Sequence, residues 1–406
     1  MSDYMPLSRT ASSVGASITL KLNAAAASLR AAGEPVIHLG GGEPVSLAPT
    51  AAVAAGVQLL ETGAVRYTPA AGTPALKDAV VAYTDEFYDR KIERTNVMVS
   101  AGVKQALMVA LMALLDPGDE VVFPAPYWVS YPEMVRIAGG VPVPVSPQEG
   151  AHQPALADIA AALTDRTKAL LLNSPSNPSG MILDLEFLRG VIRLCQERNI
   201  TVLVDDIYHR LVFDGATTPH GYQCTEKSVE DAGIIVLNGV SKQYAMTGFR
   251  IGWAVGPAAV IKAMSDIQSH LSGGACTISQ AAAVAALTTD QKSVADLLAD
   301  LEVRRDETVA LLRAISGVKI SRPQGTFYCF ADFRAYDADS ARLAQNLVEK
   351  VQVVTVPGVA FGQEGFLRVS YCGAMEDIRE GLRRVAWLLD ANGTAELSAG
   401  NRTFRR

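Results

Sequence analysis

A chain of 406 residues, 49% hydrophobic and 19% charged, is long enough for two or three domains and apolar enough for a large folded core rather than disorder. Its formal net charge of −6 gives no electrostatic ground for nucleic acid or an anionic membrane as partner, and no apolar run nears the ~18 residues of a membrane span. The N-terminal stretch lacks an apolar signal core, and the five cysteines (Cys195, Cys224, Cys276, Cys329, Cys372) are scattered with no CxxC spacing, which points to a reducing cytoplasm and away from a disulfide framework or a zinc site.

An Ala-rich N-terminal segment predicts a helix. "NVMVS" (96–100) then reads as a strand, followed by a helix in which Ala106, Leu107, Ala110, Leu111, Leu114 and Leu115 recur at helical spacing. "DPGD" (116–119) stops that helix and "EVVFP" opens the next strand. "KALLLN" (168–173), a helix over about 186–198, "ITVLVDD" (200–206), "GIIVLN" (233–238) and "IGWAVG" (251–256) continue the alternation. Strands apolar on both faces, interleaved with helices, predict an α/β fold whose mostly parallel sheet lies between helices. From about residue 290 the pattern changes. A long amphipathic helix (292–315), "VKISRP", "GTFYCFADF", a helix near 339–350, "VQVVTVPG", "FLRVSY" and a last helix at 375–389 predict a smaller α+β unit. The expected organisation is a large domain over 48–290, a small domain built from 1–47 and 291–390, and a mobile tail over 391–406, where apolar periodicity is missing.

Polar stretches fall at the ends of the large-domain strands. "SAGVKQAL" (100–107) opens a helix on a glycine, and the free N–H groups of such a start suit a phosphate. "SKQYAMTGFRIGW" (241–253) sets Lys242 and Arg250 eight residues apart between two strands. Arg250 offers a permanently charged fork to a phosphate or carboxylate, or forms a surface ion pair. "VLVDD" ends a strand in two carboxylates, with Tyr208 just beyond; such a group binds a metal, caps a helix or pairs with a cationic nitrogen, and His209 alone is thin support for a metal. "NSPSNPSG" (173–180) places Asn177 in a turn, and Trp128 in "APYWVSYPE" (125–133) is either core or a platform for a flat ring. A phosphate cup, an amine, a carboxylate, donors for a phenolic oxygen and a stacking face together form the set that pyridoxal 5'-phosphate requires.

With these motifs in order, the chain resembles the class I/II aminotransferases of the fold-type-I pyridoxal-phosphate superfamily, and within them the bacterial aspartate aminotransferase branch. The resemblance runs from about residue 7 to 389 and also includes "GGEP" (41–44), "RYTPAAGTPALKDAV" (66–80), "GTFY" (325–328) and "FLRVSY" (366–371). It implies Lys242 as the Schiff-base lysine and Asp205, three residues before Tyr208, as partner of the pyridine nitrogen. Tyr208 and Asn177 would bond the phenolic oxygen, and Trp128 would stack on the ring. Gly102, Val103 and Lys104 would form the phosphate cup with Arg250 and Ser241. Arg368 would clamp the substrate carboxylate, with Gly42 nearby, and Tyr67 would reach the site of a second subunit in a homodimer. The implied substrates are amino acids and 2-oxo acids, with aspartate the leading donor and 2-oxoglutarate an acceptor. Two departures stand out. Gly239 occupies a position where the family often has a hydroxyl, and the helix after Lys104 carries no further basic residue for a distal carboxylate, which predicts tolerance of neutral donors. Two other outcomes fit parts of the pattern: a β-lyase using the same carbanion chemistry, and a non-enzymatic regulator, which would need an additional basic N-terminal domain.

Overall fold

The computed structural model describes residues 7–15, 18–289, 291–399 and 402–405. Seven strands form one sheet: β1 (Val97–Ser100), β2 (Glu120–Pro124), β3 (Val141–Val145), β4 (Thr167–Asn173), β5 (Thr201–Asp205), β6 (Ile234–Gly239) and β7 (Gly252–Val255), in the order β1-β7-β6-β5-β4-β2-β3. All neighbours run parallel except β7, which is antiparallel to both β1 and β6. Alternate residues divide between two cores. Ala169, Leu171, Leu203, Ile235 and Leu237 belong to one cluster, while Leu170, Leu172, Val202, Val204, Ile234 and Val236 belong to the other. This two-residue period is what places a helical layer against each face.

Among the helices, α1 (Pro74–Tyr88), α2 (Val103–Leu114) and α3 (Leu185–Glu197) accompany the large sheet. The long helix α4 (Lys292–Arg313), α5 (Ser340–Val351) and α6 (Met375–Leu389) accompany a second, antiparallel sheet of β8 (Tyr328–Asp332), β9 (Val356–Pro357) and β10 (Phe366–Ser370), in the order β9-β10-β8. Ile37–His38 pairs in parallel with Val353–Val354, tying an N-terminal segment to this C-terminal unit. Among the described residues no helix is long and apolar enough to cross a membrane.

Three features differ from the sequence reading. The expected mobile tail instead carries a hairpin of β11 (Glu396–Ala399) and β12 (Arg402–Arg405), with Ala399 and Phe404 buried and the Arg384 guanidinium 5.2 Å from the Phe404 ring centre. Strands of four residues that bury one side chain each leave no period to read. β3 went unanticipated because its sequence, VPVPV, contains two prolines; it lies at the sheet edge, where proline is tolerated. "VKISRP" forms no strand and contributes a single bridge, Lys319 to Asp332.

Candidate active site

The C-terminal ends of β4, β5 and β6 and the start of α2 open onto one cavity of ≈ 340 Å³, within the range of small-molecule sites. Gly42, Val103, Lys104, Trp128, Asn177, Asp205, Tyr208, Ser241, Lys242, Arg250 and Arg368 all line it. The register explains part of this convergence, since Asn173 lies beside Asp205 across the β4–β5 pair and Asp205 beside Leu237 across β5–β6.

Lys242 follows β6 on a short turn and donates from Nζ to the Gly42 carbonyl at 2.7 Å. Burial lowers its pKa to about 8, with the Cys372 and Glu43 charges acting in the opposite direction. Removing an ammonium from water disfavours the charged form, so the neutral, nucleophilic amine is within reach near neutral pH.

Asp205 ends β5 and is 4% exposed. Its Oδ2 accepts from the Tyr131 hydroxyl at 2.7 Å and its Oδ1 from the Ile207 N–H at 3.4 Å, while Asn173 Nδ2 holds its backbone carbonyl at 2.7 Å. Burial raises its pKa to about 6 despite these donors and the Lys242 charge. No cation is in ion-pair contact with it among the described residues, so a cationic nitrogen in the cavity would relieve its desolvation. Tyr208, also buried, brings its hydroxyl 3.4 Å from that of Tyr328.

Two guanidiniums face the same space. Arg368, 3% exposed on β10, donates to Asn177 Oδ1 and to the Gly40 carbonyl, both at 2.9 Å, and lies against the Tyr328 and Phe361 rings. Its Nε has no partner and no carboxylate pairs with it among the described residues. A buried, rigidly held cation with unused donors calls for an anionic ligand. Arg250 adopts the left-handed conformation (φ 56°) and donates to the Thr247 carbonyl at 2.9 Å. It passes so close to Gly102 (φ 87°) that a Cβ there would meet Arg250 Nη2 at 2.6 Å. Gly102 caps α2, whose first-turn N–H groups have no acceptor within the helix. Backbone donors, helix dipole and guanidinium thus converge at one point, as a phosphate requires.

Gly239 answers the question its sequence raised. An added Cβ would lie 2.7 Å from the Ile251 carbonyl and 3.0 Å from the Gly252 Cα, so the close β6–β7 approach leaves no room for a hydroxyl-bearing side chain. Tyr67 is not brought to the cavity; its side chain is fully exposed. Two cavity groups were not named from the sequence, and a third lies elsewhere than expected. Tyr131 is Asp205's donor from 74 residues away, and its only signal was its place beside Trp128. Tyr328 forms part of the cavity wall. Lys104, expected at the phosphate, extends its Nζ to 4.7 Å from the centre of the Trp128 ring.

Pyridoxal phosphate fits this donor set: an anion cradle at Gly102 and Arg250, a buried amine at Lys242, a cation-deficient carboxylate at Asp205 and an indole face at Trp128. Comparison with known proteins agrees. The family model for aminotransferase class I and II matches residues 34–385. An aspartate aminotransferase from Streptomyces avermitilis is 40% identical over 94% of this chain and 96% of its own length. A probable aspartate/prephenate aminotransferase from Aquifex aeolicus is 37% identical over 92% and 95%. An aspartate aminotransferase from Thermus thermophilus, solved with maleate, superposes with a TM-score of 0.88 at 37% identity, covering 94% of this chain and 99% of that one. With the fold, the cavity and nearly the whole length in agreement, this chain belongs to the class I and II aminotransferases.

Proposed function

We propose that this enzyme uses pyridoxal 5'-phosphate to move the amino group of an acidic L-amino acid, aspartate first, to a 2-oxo acid such as 2-oxoglutarate. The observation that carries the proposal is the buried, carboxylate-free Arg368 guanidinium in the same cavity as the buried Lys242 amine. When bound, the cofactor supplies an aldehyde for the amine and a ring that accepts the electron pair released at the substrate Cα. Gly102, Val103, Ser241 and Arg250 would surround its phosphate. Asp205 would hold a proton on the ring nitrogen by placing a negative charge beside it, and the Tyr131 hydroxyl orients that carboxylate. Tyr208 and Asn177 would donate to the phenolic oxygen, and Trp128 would cover a face. Arg368 fixes the substrate's α-carboxylate and so sets the direction of the Cα–H bond. Lys242, as a buried amine, would take up the proton of the substrate Cα and hold it for return. Elimination would use the same lysine; the near full-length similarity to aspartate aminotransferases supports transamination instead. Free cysteines, among them the buried Cys195, Cys329 and Cys372, accord with a cytoplasmic enzyme.

Lys104 is the remaining cavity cation, and we assign it to the donor's distal carboxylate. Its pKa is lowered by burial and then by the Arg250 charge, so an anion beside it would relieve both. That the Thermus thermophilus relative was solved with a dicarboxylate supports an acidic side-chain preference. Lys104→Met should lower kcat/KM for aspartate and glutamate by roughly 10–100-fold, the scale of one charged hydrogen bond, and should leave phenylalanine and alanine within about threefold. A donor panel with 2-oxoglutarate measures this. Equal loss on all donors would return Lys104 to the phosphate, and no activity on aspartate in the wild type would remove the donor assignment.

A homodimer with shared sites completes the reading. Val45, Leu47, Val53, Val57, Leu60 and Val65 are exposed along the segment that leads to the fully exposed Tyr67, an apolar surface suited to a second subunit. Lys242→Ala co-expressed with a severely impaired Tyr67 variant should yield mixed dimers in which one site recovers. Confirmed mixed dimers with activity no higher than either parent would argue against a shared site.

A further inference from the structure

Asp206 follows Asp205 but faces the other way. The parity that sends Leu203 and Asp205 toward the cavity side sends Val202, Val204 and Asp206 toward the opposite core. There Asp206 is 1% exposed, and neither carboxyl oxygen has a hydrogen-bond partner among the described residues. The Tyr88 hydroxyl approaches it without meeting hydrogen-bond geometry while accepting from Asn238 Nδ2 at 2.8 Å. Both ring nitrogens of His220, whose ring packs against Tyr88, are likewise unpartnered among the described residues. The rings interlock around it, with Tyr88 at 4.7 Å from His220 and 5.2 Å from His209 between ring centres.

An ionised carboxylate without a donor or cation in such a place is strongly disfavoured, whereas a protonated one is tolerated. Asp205 has what Asp206 lacks: the Tyr131 hydroxyl, the Ile207 N–H and the Lys242 charge. Two adjacent carboxyls with unequal surroundings separate into one acid and one anion. We infer that Asp206 is held as a neutral carboxylic acid, a positioning residue that confines the pair's single negative charge to Asp205 at the cavity.

The groups facing Asp206 do not oppose this. Its own segment contributes Asp205 and His209; the imidazole of His209 contacts Tyr83, Asn238 and the Asp206 backbone carbonyl. Helix α1 contributes Tyr83 and Tyr88, and the turn at 220–224 contributes His220 and Tyr222. Burial keeps both histidines neutral, His209 down to about 3 and His220 to about 4. The nearby cations are engaged elsewhere, Arg90 by the Tyr222 and Thr225 carbonyls and Arg210 by Tyr244 and Gln291. Burial and the Asp205 charge push Asp206 up to about 8, against a smaller pull from Tyr88.

The protonation state stands apart from the donor assignment; its benefit to a ring nitrogen rests on the proposed cofactor. A carboxyl with a raised folded-state pKa contributes stability that is fully present below its unfolded value near 4 and is lost as pH rises toward 8. The test is thermal unfolding of the holoenzyme between about pH 5 and 9 for wild type, Asp206→Asn and Asp205→Asn, with kcat/KM alongside. Asp206→Asn should raise Tm by several degrees near pH 8.5 and by about a degree or less near pH 5, with kcat/KM near pH 7 within about threefold of wild type. Asp205→Asn removes a like charge beside Asp206, so the loss of Tm should level off at a lower pH and be smaller in total. Should Asp206→Asn fail to fold, pH-difference infrared spectra of the wild type replace it: a protonated carboxyl band should disappear between about pH 7 and 9. A Tm change independent of pH, a roughly 10²-fold rate loss in Asp206→Asn, or no such band would each overturn the inference. Because Tm and the infrared band are read without turnover, a wrong donor would leave them unmoved.

Discussion

Lys242→Ala should lose transamination by roughly 10⁴-fold or more, the upper end of what one positioned acid–base group contributes, while keeping measurable affinity for pyridoxal phosphate. The two effects separate because they belong to different elements. The amine is on the turn after β6, whereas the anion cradle is made by the α2 start and Arg250. Loss of the amine leaves the cradle, Asp205 and Trp128 in place. Single-turnover kinetics with an added primary amine provide the sharper measurement, since a small exogenous base should restore part of the proton transfer. Repeated turnover by the variant without any added amine would show that another group moves the proton.

Asp205→Asn should cost roughly 10²–10³-fold in kcat, the scale for losing one preorganised electrostatic partner, with a smaller loss of cofactor affinity. Asparagine preserves the size and can still accept from Tyr131, so the fold should survive. What disappears is the charge that would hold a proton on the ring nitrogen. The neighbouring carboxyl is the internal control: Asp206 points into the opposite core, and Asp206→Asn should leave turnover nearly intact. Steady-state kinetics of the two variants side by side decide the matter, and a reversal of their order would exchange the two roles.

Which parts of this were legible in the sequence follows from how each is specified. The strands at 97–100, 120–124, 201–205 and 234–239 and the last helix at 375–389 are continuous apolar or periodic runs, and such runs specify themselves locally. The cavity lining was legible for a different reason: parallel strands deliver their C-terminal ends to one edge, so motifs at those ends must meet. Contacts between distant segments left no trace. Nothing near Tyr131 marks it as the donor to Asp205, and nothing in "GVKQAL" distinguishes a lysine aimed at a phosphate from one lying over Trp128. The separation of Asp205 from Asp206 was open on residue pattern alone, because two adjacent carboxylates take opposite sides only once the strand's facing is known. The hairpin at the C-terminus was hidden by its shortness.

The proline-bearing strand β3 has a consequence for how this protein can associate. Val141 donates to the Asp119 carbonyl and Val145 accepts from the Ala125 N–H, so the odd-numbered residues of β3 turn their backbone groups inward. The even-numbered positions face outward, and they are Pro142 and Pro144, which have no N–H to offer. At the other margin, the Val99 N–H of β1 is already taken by the Ala71 carbonyl. Both margins of the sheet are therefore poor templates for an incoming strand. Extension of this sheet from one copy into another is thereby disfavoured, and a chain with so apolar an interior is protected, at these borders, from the edge-to-edge stacking that leads to fibres.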